Sequence, residues 1–257
     1  MLSWRDWCLR LGLSRPRQWR RRVDGSSDDI GPVAFLGEKD PLPSPERAGP
    51  DGLLAVGGDL SAGRLLAAYR AGIFPWYEPG GPVLWWSPDP RLVLDPADLR
   101  VSRSLRALIR RKVYATTFDT AFREVIRGCA TASRKDEHGT WITPEVEAGY
   151  SELHELGYAH SVETWREGEL VGGLYGVLLG RCFFGESMFA RQANASKVAL
   201  VALAGELIRR QIHLIDCQVA SEHMLGLGAA LIPRVEFLMR LREALEFPDD
   251  RGKWSVS

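Results

Sequence analysis

No two of this chain's cysteines are close enough to read as C-x-x-C: Cys8, Cys129, Cys182 and Cys217 are scattered along it. That spacing argues against a zinc ribbon and against a disulfide scaffold, and it fits a reducing cytosol. No apolar run approaches the roughly 20 residues that span a bilayer, so no membrane segment is expected. There is no G-x-x-x-x-G-K-[ST] phosphate loop and no G-x-S-x-G elbow. The histidines (His138, His154, His160, His213 and His223) make no ligand spacing such as H-E-x-x-H, so no metal is expected either. Net charge is also lacking: 33 basic residues balance 33 acidic ones, so the total announces no nucleic-acid binder.

Charge is nonetheless uneven. The first 23 residues hold seven arginines (Arg5, Arg10, Arg15, Arg17, Arg20, Arg21, Arg22) and a single acid, Asp6. Such a start lacks the continuous apolar core of a secretory leader. It resembles an organelle transit peptide in charge, but Trp4, Trp7 and Trp19 sit awkwardly there, and residues 1–30 read better as a basic extension. With 257 residues the chain can bury a sizeable core in one large domain or two modest ones. Residues 24–51, rich in Pro, Gly, Ser and Asp, read as loop with short extended pieces. Leu65, Leu66, Ala68 and Tyr69 have helical spacing behind a cap at Asp59 or Ser61, and Gly72 stops that helix.

Further along, "SRSLRALIRRK" (102–112) predicts a helix capped by Ser102, with arginines along one side. Helices are also predicted over 118–131 and 144–156. Three strands follow, over 158–165, 169–177 and 181–189, joined by turns at Glu167-Gly168 and Leu179-Gly180. "NASKVALVALAGELIRRQ" reads as a helix, "IHLIDCQVA" as a strand and "RVEFLMRLREAL" as a closing helix. The order is that of an α+β, GNAT-like acyltransferase, with a strand–helix–strand crossover beside Asp216. An acetyltransferase of that type carries a glycine-rich pyrophosphate loop before the crossover helix. Here residues 191–197 read RQANASK, without glycine; Asn194 or Ser196 is either a phosphate-holding helix start or a plain cap.

In a strand, side chains alternate between faces. "LIDCQV" then puts Asp216 and Gln218 on one face, and polar groups on a core strand need partners. "GESMF" puts Glu186 beside Met188: either an apolar pocket with one anionic spot, suited to a cation next to hydrophobic groups, or an edge glutamate paired with an arginine. Trp76, Trp85, Trp86 and Trp141 lie in Pro- or Gly-marked segments and read as core or as stacking faces for bases. The basic helix is a solvated face or a contact for RNA backbone.

"GLLAVGGDLSAGRLLAAYRAGIFPWY", "WWSPDPR", "GTWIT", "LVGGLYGV", "GESMF", "NASK" and "LIDCQV", in that order, resemble the leucyl/phenylalanyl-tRNA–protein transferases over roughly residues 42–245. The resemblance implies a small N-terminal domain (31–95) after the extension (1–30), a GNAT-like catalytic domain (96–246) that uses no acetyl-CoA or other cofactor, and a tail (247–257). It implies transfer of leucine or phenylalanine, less readily methionine, from aminoacyl-tRNA to the α-amino group of proteins beginning with Arg or Lys. The product would pass to an adaptor–protease system in bacterial cytoplasm.

Residue by residue, it implies that Asp216 and Gln218 lie beside the attacking amine, with Gln218 accepting its hydrogen bond and Asp216 orienting Gln218. Glu186 would face the acceptor's guanidinium or ammonium. Met188, Leu174 and Leu203 would line the aminoacyl pocket, and Trp76 and Trp141 would sit near the terminal adenosine. Arg103, Arg106, Arg110, Arg111 and Lys112 would touch the acceptor stem. Departures are Leu203, where the family commonly has an aromatic, Ser221 where Asn is common, and Leu42 where Phe usually precedes the proline. Residues 1–30 match nothing in the family. Rival readings are a cell-wall peptide-forming user of aminoacyl-tRNA, a non-catalytic RNA-binding protein and an ordinary acetyltransferase.

Overall fold

The computed structural model describes residues 33–132 and 141–255. The basic extension expected over residues 1–30 lies outside them. A small sheet comes first, built from β1 (Ala34–Leu36), β2 (Leu53–Gly57), β3 (Phe74–Pro75) and β4 (Leu84–Trp86) in the order β1-β2-β4-β3. Between β2 and β3 runs α1 (Ala62–Arg70), which buries Leu65, Ala68 and Tyr69 on one stripe, as its spacing predicts. Asp59 accepts the Ser61 N–H, while Ser61 itself makes no side-chain cap.

Strand pairing passes from the small sheet to a seven-stranded one between β4 and β5 (Arg91–Leu94). The large sheet continues with β6 (Ala115–Phe118), β7 (Ala159–Arg166), β8 (Glu169–Leu179), β9 (Cys182–Ala190), β10 (Leu214–Gln218) and β11 (Ala230–Ile232). Its order is β11-β5-β10-β9-β8-β7-β6. Only β9 and β10 pair in parallel; every other neighbour is antiparallel. Two parallel neighbours need a crossover, and α5 (Ala195–Arg209) supplies it. The remaining helices are α2 (Arg103–Arg110), α3 (Phe122–Thr131), α4 (Pro144–Glu155), α6 (Glu222–Gly226) and α7 (Arg234–Leu245).

The sequence reading is corrected at two strands and one helix start. The helix expected from residue 118 begins only at Phe122, because residues 115–118 pair with β7 as β6. β5, for which the sequence suggests no element, lies between β10 and β11, fully buried. Period-two alternation sorts β8 between two apolar clusters. Tyr175, Val177 and Leu179 pack with α1, α3 and α4, whereas Leu174 and Leu178 pack with α5. Trp254, beyond α7, returns to the second cluster and is buried there.

Close approach fixes two glycines. At Gly149 of α4 a Cβ would stand 2.6 Å from the Leu60 carbonyl oxygen, so only glycine lets α4 lie against the start of α1. At Gly172 of β8 a Cβ would stand 2.5 Å from the Ala195 Cβ, so glycine lets the first turn of α5 settle on the sheet. Both approaches position side chains of the site.

Candidate active site

β9 and β10 pair only as far as Phe184 and Asp216, and a cavity of about 510 Å³ opens where their pairing ends. Leu174, Met188, Leu200, Leu203, Ile215 and Met224 form its apolar wall. Phe74, Trp76 and Trp141 flank it, and Glu186, Gln218, Ser221 and His223 supply polar groups. A volume of this size, mostly apolar with a few converging polar groups, is typical of small-ligand sites.

Two irregularities aim the polar groups. In the β8–β9 ladder Gly176 faces Gly185 and Tyr175 faces Ser187, which leaves Glu186 as the extra residue of a bulge. In the β5–β10 ladder Val93 faces Asp216 and Leu92 faces Gln218, which leaves Cys217 as the extra residue. A bulge breaks alternation and redirects the side chains beside it. Asp216 and Gln218 therefore do not share a face as strict alternation predicts. Gln218 lines the cavity, whereas Asp216 is wholly buried and does not. Ser187 and Phe189, which strict alternation would put on the face opposite Glu186 and Met188, line the cavity with them.

Glu186 sits in a ring of donors. Its Oε1 accepts from the Tyr69 hydroxyl at 2.7 Å and from Gln218 Nε2 at 2.8 Å, and its Oε2 accepts from the Tyr150 hydroxyl at 2.9 Å. The two tyrosine hydroxyls also touch each other. Burial pushes the Glu186 carboxyl up to about 7, outweighing the three donors, which pull it down; the nearby Asp216 charge adds to the rise. Proton counting agrees. Three contacts join the two phenols and the carboxylate, but the phenols bring only two protons. When Glu186 is protonated it supplies the third, and one tyrosine hydroxyl then accepts from it instead of donating to it. Both phenols are themselves raised well above their usual value, first by burial and then by the Glu186 charge.

Asp216 meets a different partner. Arg91 Nε donates to Oδ1 at 2.8 Å and Nη2 to Oδ2 at 2.6 Å, with both side chains out of solvent. Oδ1 also accepts the backbone N–H of Gln218 at 2.9 Å. Gln218 itself has φ +64, and the Val219 N–H closes onto the Cys217 carbonyl at 2.9 Å, a tight turn centred on Gln218. Asp216 thus reaches Gln218 through the main chain.

The sequence-predicted residues Glu186, Gln218, Met188, Leu174, Leu203, Trp76 and Trp141 all line this one cavity. Arg103, Arg106 and Arg110 on α2, with Arg111 and Lys112 after it, are exposed and make no ion pair with a described residue. The sequence gives no sign that Tyr69, Tyr150 and Arg91 belong to the site; the two tyrosines sit at helical core positions, and Arg91 leads a strand of only four residues. Asn194, at the start of α5, is in the left-handed region and makes no side-chain cap. No helix among the described residues is long and apolar enough to cross a membrane.

A parallel strand pair bridged by a helix, its pairing ending at a pocket lined by a carboxyl and a carboxamide, gives the large unit a GNAT-like fold behind a smaller N-terminal sheet. A GCN5-related N-acetyltransferase from Kribbella flavida is similar at TM-score 0.35 and 12% identity, covering 70% of this chain and 63% of that one. The family model for leucyl/phenylalanyl-tRNA protein transferase matches residues 93–242, and the model for that family's N-terminal domain matches residues 58–89. The leucyl/phenylalanyl-tRNA–protein transferase of Syntrophus aciditrophicus is 55% identical over 225 residues, 88% of this chain and 94% of that protein. Its namesake from Syntrophobacter fumaroxidans is 59% identical over 212 residues, 82% of this chain and 91% of that protein. The chain belongs to the leucyl/phenylalanyl-tRNA–protein transferase family.

Proposed function

We propose that the cavity transfers leucine or phenylalanine, and less readily methionine, from aminoacyl-tRNA to the α-amino group of proteins whose first residue is Arg or Lys. The observation that carries this reading is Glu186, the one carboxylate among the described lining residues, set beside Gln218 in a mostly apolar cavity. A cation next to an apolar side chain is the ligand such a site accommodates. The leucyl or phenylalanyl side chain lies against Leu174, Met188 and Leu203. The terminal adenosine stacks near Trp76 and Trp141, and the acceptor stem runs its phosphates along Arg103, Arg106, Arg110, Arg111 and Lys112. Several leucine and phenylalanine tRNAs must be accepted, so these contacts go to backbone and not to base edges.

The reaction is ester aminolysis. The neutral α-amine attacks the carbonyl carbon, a C–N bond forms, the C–O bond to the ribose breaks, and the amine's proton passes to the leaving oxygen. With Nε2 donating to Glu186, Gln218 keeps its carbonyl oxygen to accept from the amine and orient it. The ester is already activated, so alignment supplies most of the rate. Glu186 meets the guanidinium or ammonium of the acceptor in a charge-assisted pair. The modified protein goes on to an adaptor–protease system in the cytoplasm.

The test is transfer of labelled leucine from Leu-tRNA to peptides that differ only in the first residue: Arg, Lys, Gly or Glu. Transfer confined to Arg and Lys, and weakened in Glu186→Ala, is expected. Equal transfer to all four peptides, or equal binding of charged and uncharged tRNA without transfer, overturns the reading.

A further inference from the structure

We infer that Arg91 is a positioning residue of the reaction, acting through the carboxylate of Asp216 to hold Gln218 in the strained turn that aims its carboxamide at the amine. The inference rests on the proposed transfer reaction and concerns how its site is held together.

The argument starts at Gln218. A non-glycine residue at φ +64 under an i→i+2 hydrogen bond is costly, and such strain persists only where the surroundings over-determine it. Two bonds do so here. Asp216 Oδ1 holds the main-chain N–H of Gln218, and Glu186 Oε1 holds the end of its side chain. Asp216 in turn is held by the two-pronged grip of Arg91. The guanidinium lies between the rings of Phe74 and Phe237, 4.7 and 4.5 Å from their centroids. Phe74 also lines the cavity, so the clamp and the cavity share a wall.

The geometry also says what Asp216 does not do. Both of its oxygens are occupied by Arg91, Oδ1 by the Gln218 amide as well, and the residue is absent from the cavity lining. Its charge is matched by a guanidinium at 2.6 Å. What Asp216 gives the reaction is an acceptor atom at a fixed place, and Arg91 fixes the place. A planar fork does this; a lysine ammonium cannot grip both oxygens in one plane.

The test compares wild type, Arg91→Lys, Asp216→Asn and the double variant Arg91→Met/Asp216→Asn. The assay reads kcat and acceptor KM for leucyl transfer to an Arg-initiated peptide, with folding checked by circular dichroism. Asp216→Asn alone leaves a buried guanidinium unmatched, and a fall in kcat of about 100-fold is expected from misplacing Gln218. In the double variant the buried charge is gone, while the asparagine Oδ1 still accepts the Gln218 amide. With no guanidinium to grip it, that oxygen is no longer fixed, so kcat is expected to stay at least about tenfold below wild type, with acceptor KM and the pH profile unchanged. A double variant that is folded and as fast as wild type shows that Arg91 does not hold the turn, and overturns the inference. Should the Asn variants not fold, Arg91→Lys decides. A kcat at least about fivefold lower at constant KM supports positioning, and a wild-type kcat overturns it. Wild type that transfers nothing refutes the proposed function and leaves a distinct signature from either result.

Discussion

Glu186 offers the sharpest handle on the chemistry, because its affinity for an acceptor depends on a charge that burial disfavours. Its carboxyl is pushed from an ordinary 4.5 to about 7 by burial. The ionised fraction then rises from about one-tenth at pH 6 to about nine-tenths at pH 8. Only the ionised form pairs with a guanidinium, so acceptor kcat/KM is expected to climb about tenfold across that interval. The acceptor's α-amine also titrates near pH 8 and must be neutral to attack. The profile of Glu186→Gln carries that contribution alone. The assay is therefore the ratio of wild-type to Glu186→Gln kcat/KM for an Arg-initiated peptide at several pH values. A tenfold rise in the ratio is expected, and a flat ratio from pH 6 to 8 refutes the reasoning. Stability gives an independent check. A carboxyl whose folded value is raised contributes stability that is present below about 4.5 and lost as pH rises through about 7. The loss is on the order of 3 kcal/mol. Glu186→Gln should accordingly melt higher than wild type at pH 8, with the gap closing near pH 5.

Three further outcomes are expected. Tyr69→Phe and Tyr150→Phe each remove a donor from the Glu186 carboxylate, so acceptor KM should rise with a cost of about 1.5–3 kcal/mol each; a change below twofold counts against the network. Leu203→Phe fills part of the cavity where the chain has the smaller side chain, so transfer from Phe-tRNA should fall relative to Leu-tRNA by about tenfold or more; competition between the two charged tRNAs reads this directly. Arg103→Ala and Arg106→Ala should weaken binding of every accepted tRNA alike and reduce the slope of log K against log salt by about one each, whereas loss confined to one tRNA would mean base contacts.

Much of the architecture was legible in periodicity. Helical spacing located α1, α2, α4, α5 and α7, and alternation located β7, β8 and β9 to within a residue or two. β5 was not legible, because RLVL is short, is hemmed by prolines and starts with an arginine. Only the presence of Asp216 makes that arginine a core residue. The facing of Gln218 was lost for a similar reason. Alternation is a property of regular ladders, and the bulges at Glu186 and Cys217 depend on partners in β8 and β5 that a local pattern does not contain. Tyr69 and Tyr150 carried core spacing and nothing more. Their meaning is a meeting of two hydroxyls with a carboxylate on a third element.

The Arg91–Asp216 pair joins positions 125 residues apart in sequence. Closing so long a loop is entropically slow, and a guanidinium left in a dry core without its partner is costlier still. Without β10 beside it, β5 has every reason to stay in water, and the β11–β5 end of the large sheet cannot close around it. The same contact that holds Gln218 therefore ties this end of the sheet to the site. The chain gains β5 and the bulged strand that carries its carboxamide together, so a form that lacks one lacks the other.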